Sequence, residues 1–151
     1  NFDKAECGIN YNLAKLLELK NVEFVNESYL AVGELDTEMS IDDFAEFVSN
    51  KLDCAGIRYT DTDKMIKRVA VGGGACGEYI QQARKISDCF VTGELKYHEM
   101  LDCFEMGYPV ISAGHFETEN IPFLMLKEKL EAIFTDVEFI IAPRKNPILS
   151  I

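Results

Sequence analysis

The sequence predicts an α/β layered domain with a mostly parallel sheet and flanking helices, and three observations carry that expectation. From Arg68 onward, short β-rich apolar runs alternate with stretches of helical period, the pattern of strands joined by crossover helices. Glycines or small polar residues follow the runs, at Gly72, at Thr92 to Glu94 and at Gly114, where buried strands pass into loops. A length of 151 residues, 48% of them hydrophobic, is enough for one core.

The elements are read in order. Asn12 to Leu19 has Leu13, Leu16 and Leu17 on one side and is predicted helical, and Tyr29 to Gly33 is a short strand ending at glycine. Ser40 begins a helix. Its hydroxyl can cap free amides, Asp42 and Asp43 suit the positive dipole end, and Ile41, Phe44, Val48 and Leu52 keep helical spacing. Strand Arg68 to Val71, a helix near Glu78 to Ile86, strand Cys89 to Thr92 and a helix near Leu95 to Met106 follow. Strand Pro109 to Ala113, a helix from about Glu119 to Phe134 and a last strand Val137 to Ile141 complete the alternation. A parallel sheet around Val69, Val91 and Ile111 would bring the loops after these strands onto one rim.

Composition excludes several classes. The net charge of −11 disfavours a surface that tracks phosphate backbones, so no nucleic-acid partner is expected. No run of apolar residues is long enough for a membrane span and the polar start is no signal peptide, so no membrane partner and a cytoplasmic location are expected. Five cysteines without a C-x-x-C pair argue for reduced core thiols and against a disulfide framework or zinc ribbon.

Both histidines sit among carboxylates in the last third, in Thr92-Gly93-Glu94-Leu95-Lys96-Tyr97-His98 and Gly114-His115-Phe116-Glu117-Thr118-Glu119. Imidazole nitrogen and carboxylate oxygen suit a divalent transition metal. On a helical turn His115 and Glu119 project to one side, whereas Glu117 points elsewhere. The competing reading makes Thr118 a helix cap with acids meeting the dipole, which accounts for the acids but not for the histidine. His98 has Glu94 one turn before it and Asp102 one turn after, as a functional imidazole or as part of an ordinary charged surface helix. Gly72-Gly73-Gly74-Ala75-Cys76-Gly77 satisfies G-x-G-x-x-G between strand and helix, a dinucleotide cradle or simply a tight turn.

These residues resemble the NIF-three-like proteins, also described as GTP cyclohydrolase I type 2 homologues or dinuclear metal centre proteins. Thr92 to His98 is similar to the family's T-G-[ED]-hydrophobic-x-x-H block and Gly114 to Glu119 to its G-H-x-x-T-E. Val69 to Gly77, Asn146-Pro147, and the opening Asn1-Phe2-Asp3 with Gly8 to Ala14 resemble further family segments. The resemblance implies two divalent transition-metal ions (zinc, iron, manganese or nickel), a metal-dependent hydrolase acting on a small molecule, and a toroidal homo-oligomer, a hexamer in the family. Carried over by motif, Asp3, His115 and Glu119 are metal ligands, and His98 is a catalytic acid-base group or a support for the ligands. The family's His-His pair would precede Asn1, so the chain is expected to be a C-terminal portion. Within it, 1–35 would be the end of a segment linking to an N-terminal half, 36–143 the main α/β domain and 144–151 a tail. The alternative function is a non-catalytic metal-binding or interaction protein.

Overall fold

The computed structural model of the chain describes residues 5, 8–26 and 28–148, with the backbone alone at positions 121 and 123. Helix α1 spans Ile9–Leu16 and is followed by β1, Lys20–Phe24, and the long strand β2, Ala31–Met39. Helix α2, Ile41–Leu52, begins at Ser40, whose Oγ accepts from the Asp43 amide at 3.2 Å. This is the cap read from the sequence. Strand β3 is only Arg58–Tyr59 and β4 is Ile66–Gly72. A 3-10 turn, Gly77–Tyr79, leads into the four-residue α3, Ile80–Ala83. Strand β5, Cys89–Thr92, helix α4, Tyr97–Glu105, strand β6, Val110–Ser112, and helix α5, His115–Ile133, complete the order.

The α/β class holds, with one correction to the sheet. Its order is β1-β2-β4-β5-β6-β3, and only β4, β5 and β6 run parallel. The pairings β1 with β2, β2 with β4 and β3 with β6 are antiparallel. A parallel neighbour needs a crossover, and α3 and α4 supply one each for β4 to β5 and β5 to β6. The short link between β1 and β2 allows only a reversal, and α2 carries the chain across to β3 on the far edge. Strands β1 and β2 belong to the same sheet as the elements beyond residue 36.

Alternating residues of the central strands separate two apolar layers. Val69, Val71, Val91 and Ile111 meet Leu13 and Leu17 of the first helical region and Phe44 and Val48 of α2. Ala70, Phe90 and Val110 face the other way, onto Ile80, Ala83, Cys103 and Tyr108. Both faces of the parallel segment are covered, and its rim is left for function.

Several sequence expectations differ from the structure: the first helix lies at Ile9–Leu16, earlier than Asn12 to Leu19, and the strand expected to end at Gly33 runs on to Met39. The last helix begins at His115, four residues before the expected Glu119, because Gly114 ends the strand segment and the helix starts at once. Residues 137–141 form no strand: Val137 and Ile140 are exposed and the segment meets no sheet edge. An apolar run of β-branched residues becomes a strand only where a neighbour takes its hydrogen bonds. Strands β1 and β3 went unread because neither has an apolar alternation, being largely exposed at the two sheet edges.

Among the described residues no helix is long and apolar enough to cross a membrane. The described cysteines, Cys54, Cys76, Cys89 and Cys103, are free thiols, buried or half-buried.

Candidate metal centre

The parallel register sets Gly72 beside Thr92 and Thr92 beside Ser112, so the three following loops start level on one rim. Hydrogen bonds then bind loop to loop. The Gly74 carbonyl accepts from the Gly93 amide at 2.8 Å, the Glu94 amide at 3.0 Å and the Thr92 hydroxyl at 3.0 Å. The Gly114 amide donates to the Gly93 carbonyl at 2.9 Å. Thr118, fully buried, accepts from the Gly74 amide at 3.1 Å and donates to the Gly114 carbonyl at 2.8 Å. The threonine of the second motif therefore ties the first turn of α5 to the glycine loop.

On this platform His115 and Glu119 stand one helical turn apart, with Nε2 and Oε1 separated by 3.4 Å. The other imidazole nitrogen, Nδ1, lies 3.2 Å from Glu94 Oε1. Glu94 is the residue that sequence reasoning assigned elsewhere. Its place in a T-G-E turn beside a second strand end was the available signal, and only the parallel register shows which histidine it meets. Nδ1 thus faces the Glu94 carboxylate while Nε2 faces Glu119, and a carboxylate beside the far nitrogen is a common neighbour of metal-binding imidazoles.

Gly74 lies under this pair at φ +70°, and a Cβ there would meet Glu119 Oε1 at 2.5 Å and His115 Nε2 at 3.1 Å. A side chain would occupy the space between the two donor atoms. The glycine loop itself is no phosphate cradle: the amides of Gly73, Gly74 and Cys76 already donate to Asn10 Oδ1, Thr118 Oγ1 and Thr92 Oγ1. With three of its amides taken internally, the loop offers a dinucleotide few of the donors such a cradle needs.

The remaining site residues separate as follows. Glu117 turns back over Gly114 and accepts from Asn146 Nδ2 at 2.9 Å, away from the His115 ring. His98 is exposed on the first turn of α4 and does not line the cavity at the rim. Asp3 lies outside the described residues. That cavity, about 660 Å³, is lined by Glu94, His115, Glu117 and Glu119 together with Arg58 and Asn146, among others. Cys54 borders the same region, but its Sγ donates to the Ala113 carbonyl at 3.1 Å, and burial, helped by the Glu117 charge, pushes the thiol up to about 12. A neutral thiol there is neither nucleophile nor ligand. Among the described residues no group of three or more His, Cys, Asp or Glu side chains gathers as a complete metal site.

The family signature of Duf34/NIF3 (NGG1p interacting factor 3) matches residues 1–147. The chain belongs to the Duf34/NIF3 family. Among its relatives is a GTP cyclohydrolase 1 type 2 homolog of Bacillus subtilis, 41% identical over 110 residues, which are 72% of this chain and 29% of that protein. Another of the same description, from Clostridium perfringens, is 28% identical over 97% of this chain and 60% of its own length. The chain thus spans between about a third and three fifths of these two relatives. The solved structure of protein ybgI, of unknown function, superposes with a TM-score of 0.85 and 27% identity, covering 97% of this chain and 60% of that one.

Proposed function

We propose that the rim holds part of a dinuclear divalent-metal centre of hydrolase type, with His115 and Glu119 as ligands and Asp3 as a third. The observation that carries this reading is the 3.4 Å between His115 Nε2 and Glu119 Oε1 above a glycine. Two ligand atoms at bond lengths of about 2.0–2.1 Å and a tetrahedral angle stand about 3.3–3.4 Å apart. An imidazole and a carboxylate at that separation, with no side chain between them, suit a divalent transition ion. Two donors leave the coordination incomplete, and Asp3 is the further ligand this reading adds from the chain.

When bound, such a metal pair would lower the pKa of a bridging water and neutralise developing negative charge. The chain's own residues do the positioning. Glu94 sets a carboxylate 3.2 Å from Nδ1 of His115, Thr118 locks the first turn of α5 to the glycine loop, and Asn146 keeps Glu117 turned aside. The names of the relatives support a small-molecule hydrolase. Assembly as a homo-oligomer belongs to the same reading and is supported by exposed apolar side chains near the end of α5 and beyond, Ile133, Ile140 and Ile148. The free thiols suit a reducing, cytoplasmic setting.

The test is metal titration followed by assay. Zinc or manganese should bind the wild type and bind at least about tenfold more weakly to His115→Ala and Glu119→Gln. Metal-dependent hydrolysis lost in Glu119→Gln supports the hydrolase, whereas tight binding without turnover would favour a metal-handling or interaction protein. Unaltered metal affinity in both variants would refute the ligand assignment.

A further inference from the structure

We propose that Arg58 is an anion anchor in the cavity and that the molecule held there carries an oxyanion of the phosphate class. The inference rests on the reading above for the identity of the site, since it names the substrate class of that site. Its argument is charge and placement. The chain has a net charge of −11 and four arginines. Arg68 shows what arginine does for stability here, pairing with both Glu23 and Glu34. Arg58 does not. Among the described residues no carboxylate lies within 4 Å of its guanidinium.

The arginine is nonetheless held in place. Its Nη2 donates to the Leu95 carbonyl at 3.2 Å and to Ser112 Oγ at 3.4 Å. Leu95 follows Glu94, and Ser112 is the register partner of Arg58 and stands three residues before His115. The guanidinium is therefore tied to both arms of the candidate metal centre, while the hydrogens on Nε and Nη1 have no partner among the described residues. A planar fork braced on one corner and open on the other suits bidentate capture of a phosphate. Arg144 also lines the cavity, whose volume lies within the range of small-molecule sites. The carboxylates of Glu94, Glu117 and Glu119 would repel an anion from this space, so a fixed cation at its wall has a function that fold stability does not require.

The competing role is a brace that fastens the short edge strand β3 to Leu95 and Ser112. Phosphate titration separates the two. Inorganic phosphate is added to the metal-free protein at low, constant ionic strength, with amide resonances of residues 93–95 and 112–115 followed by NMR. Wild type should show saturable shifts, Arg58→Gln should bind about tenfold or more weakly, and Lys85→Gln, an exposed charge elsewhere, should match wild type. Arg58→Lys keeps the charge without the fork and should fall between. If Arg58→Gln does not fold, Arg58→Lys decides, a several-fold loss supporting the anchor and equal affinity overturning it. No saturable shift, or undiminished affinity in a folded Arg58→Gln, overturns the proposal and leaves the brace. Metal binding is measured separately in phosphate-free buffer. Phosphate held by Arg58 in a protein that binds no metal would refute the metal centre and keep the anchor, and the reverse pattern would refute the anchor alone.

Discussion

Gly74→Ala isolates the geometry of the candidate centre from the stability of the fold. Gly74 has φ +70°, and its carbonyl accepts three hydrogen bonds while its amide is held by Thr118, so the backbone cannot rotate to relieve a side chain. The left-handed conformation costs an alanine about 1–2 kcal/mol. For a chain of this length that lowers Tm by about 2–8 °C. Gly107 has the same conformation, φ +59°, but a Cβ there meets nothing closer than Lys64 Nζ at 3.8 Å. Gly107→Ala should therefore lose a similar amount of stability. The difference is at the site. An ordinary contact begins at 3.4 Å, so Glu119 Oε1, 2.5 Å from the new Cβ, must retreat by about 0.9 Å, well beyond the roughly 0.2 Å that a ligand position tolerates. The Glu119 carboxylate is flexible enough to move at little cost in stability, but it then leaves the Nε2 side of His115. Differential scanning calorimetry with metal titration should show matched losses of Tm and at least about tenfold weaker metal binding in Gly74→Ala alone. Equal metal affinity in the two variants would refute the placement of the metal between His115 and Glu119.

Thr118→Val removes a buried acceptor and leaves the Gly74 amide unsatisfied, and should cost about 1–3 kcal/mol in urea denaturation. Ser40→Ala removes the α2 cap and should cost about 1 kcal/mol by the same measurement, with metal binding unaffected. His98→Gln, at an exposed position outside the cavity, should leave stability within about 0.5 kcal/mol and metal affinity and turnover unchanged, whereas a sharp loss of turnover would show the catalytic role. Burial holds the Cys54 thiol up to about 12 and that of Cys103 up to about 11, against 9.0 for a free thiol. The unfolded chain then gives up these protons first as pH rises, so stability is fully present below about pH 9 and should fall between pH 9 and 11 in denaturation midpoints.

Local chemistry was sufficient for part of this structure. The Ser40 cap depends on one hydroxyl and the next turn of amides, and the strands around Val69, Val91 and Ile111 depend on short apolar runs flanked by helical ones. The pairing of His115 with Glu119 follows from a spacing of four on a helix. Each of these interactions spans a single turn or strand, so the order of residues carries it.

What the sequence determined by itself was therefore the α/β class, the capped start of α2, and the placement of His115 and Glu119 one helical turn apart. The tertiary structure decided what lies opposite them. The antiparallel partners of β1, β2 and β3 are neighbours that the packed sheet provides, and the apolar run at 137–141 pairs with no strand among the described residues. Glu94 meets His115, Thr118 meets Gly74 and Arg58 meets Ser112 across separations of 21, 44 and 54 residues. The first two contacts are set by the register of the three parallel strands and the third by the antiparallel pairing of β3 with β6, properties of the packed sheet that no local pattern encodes.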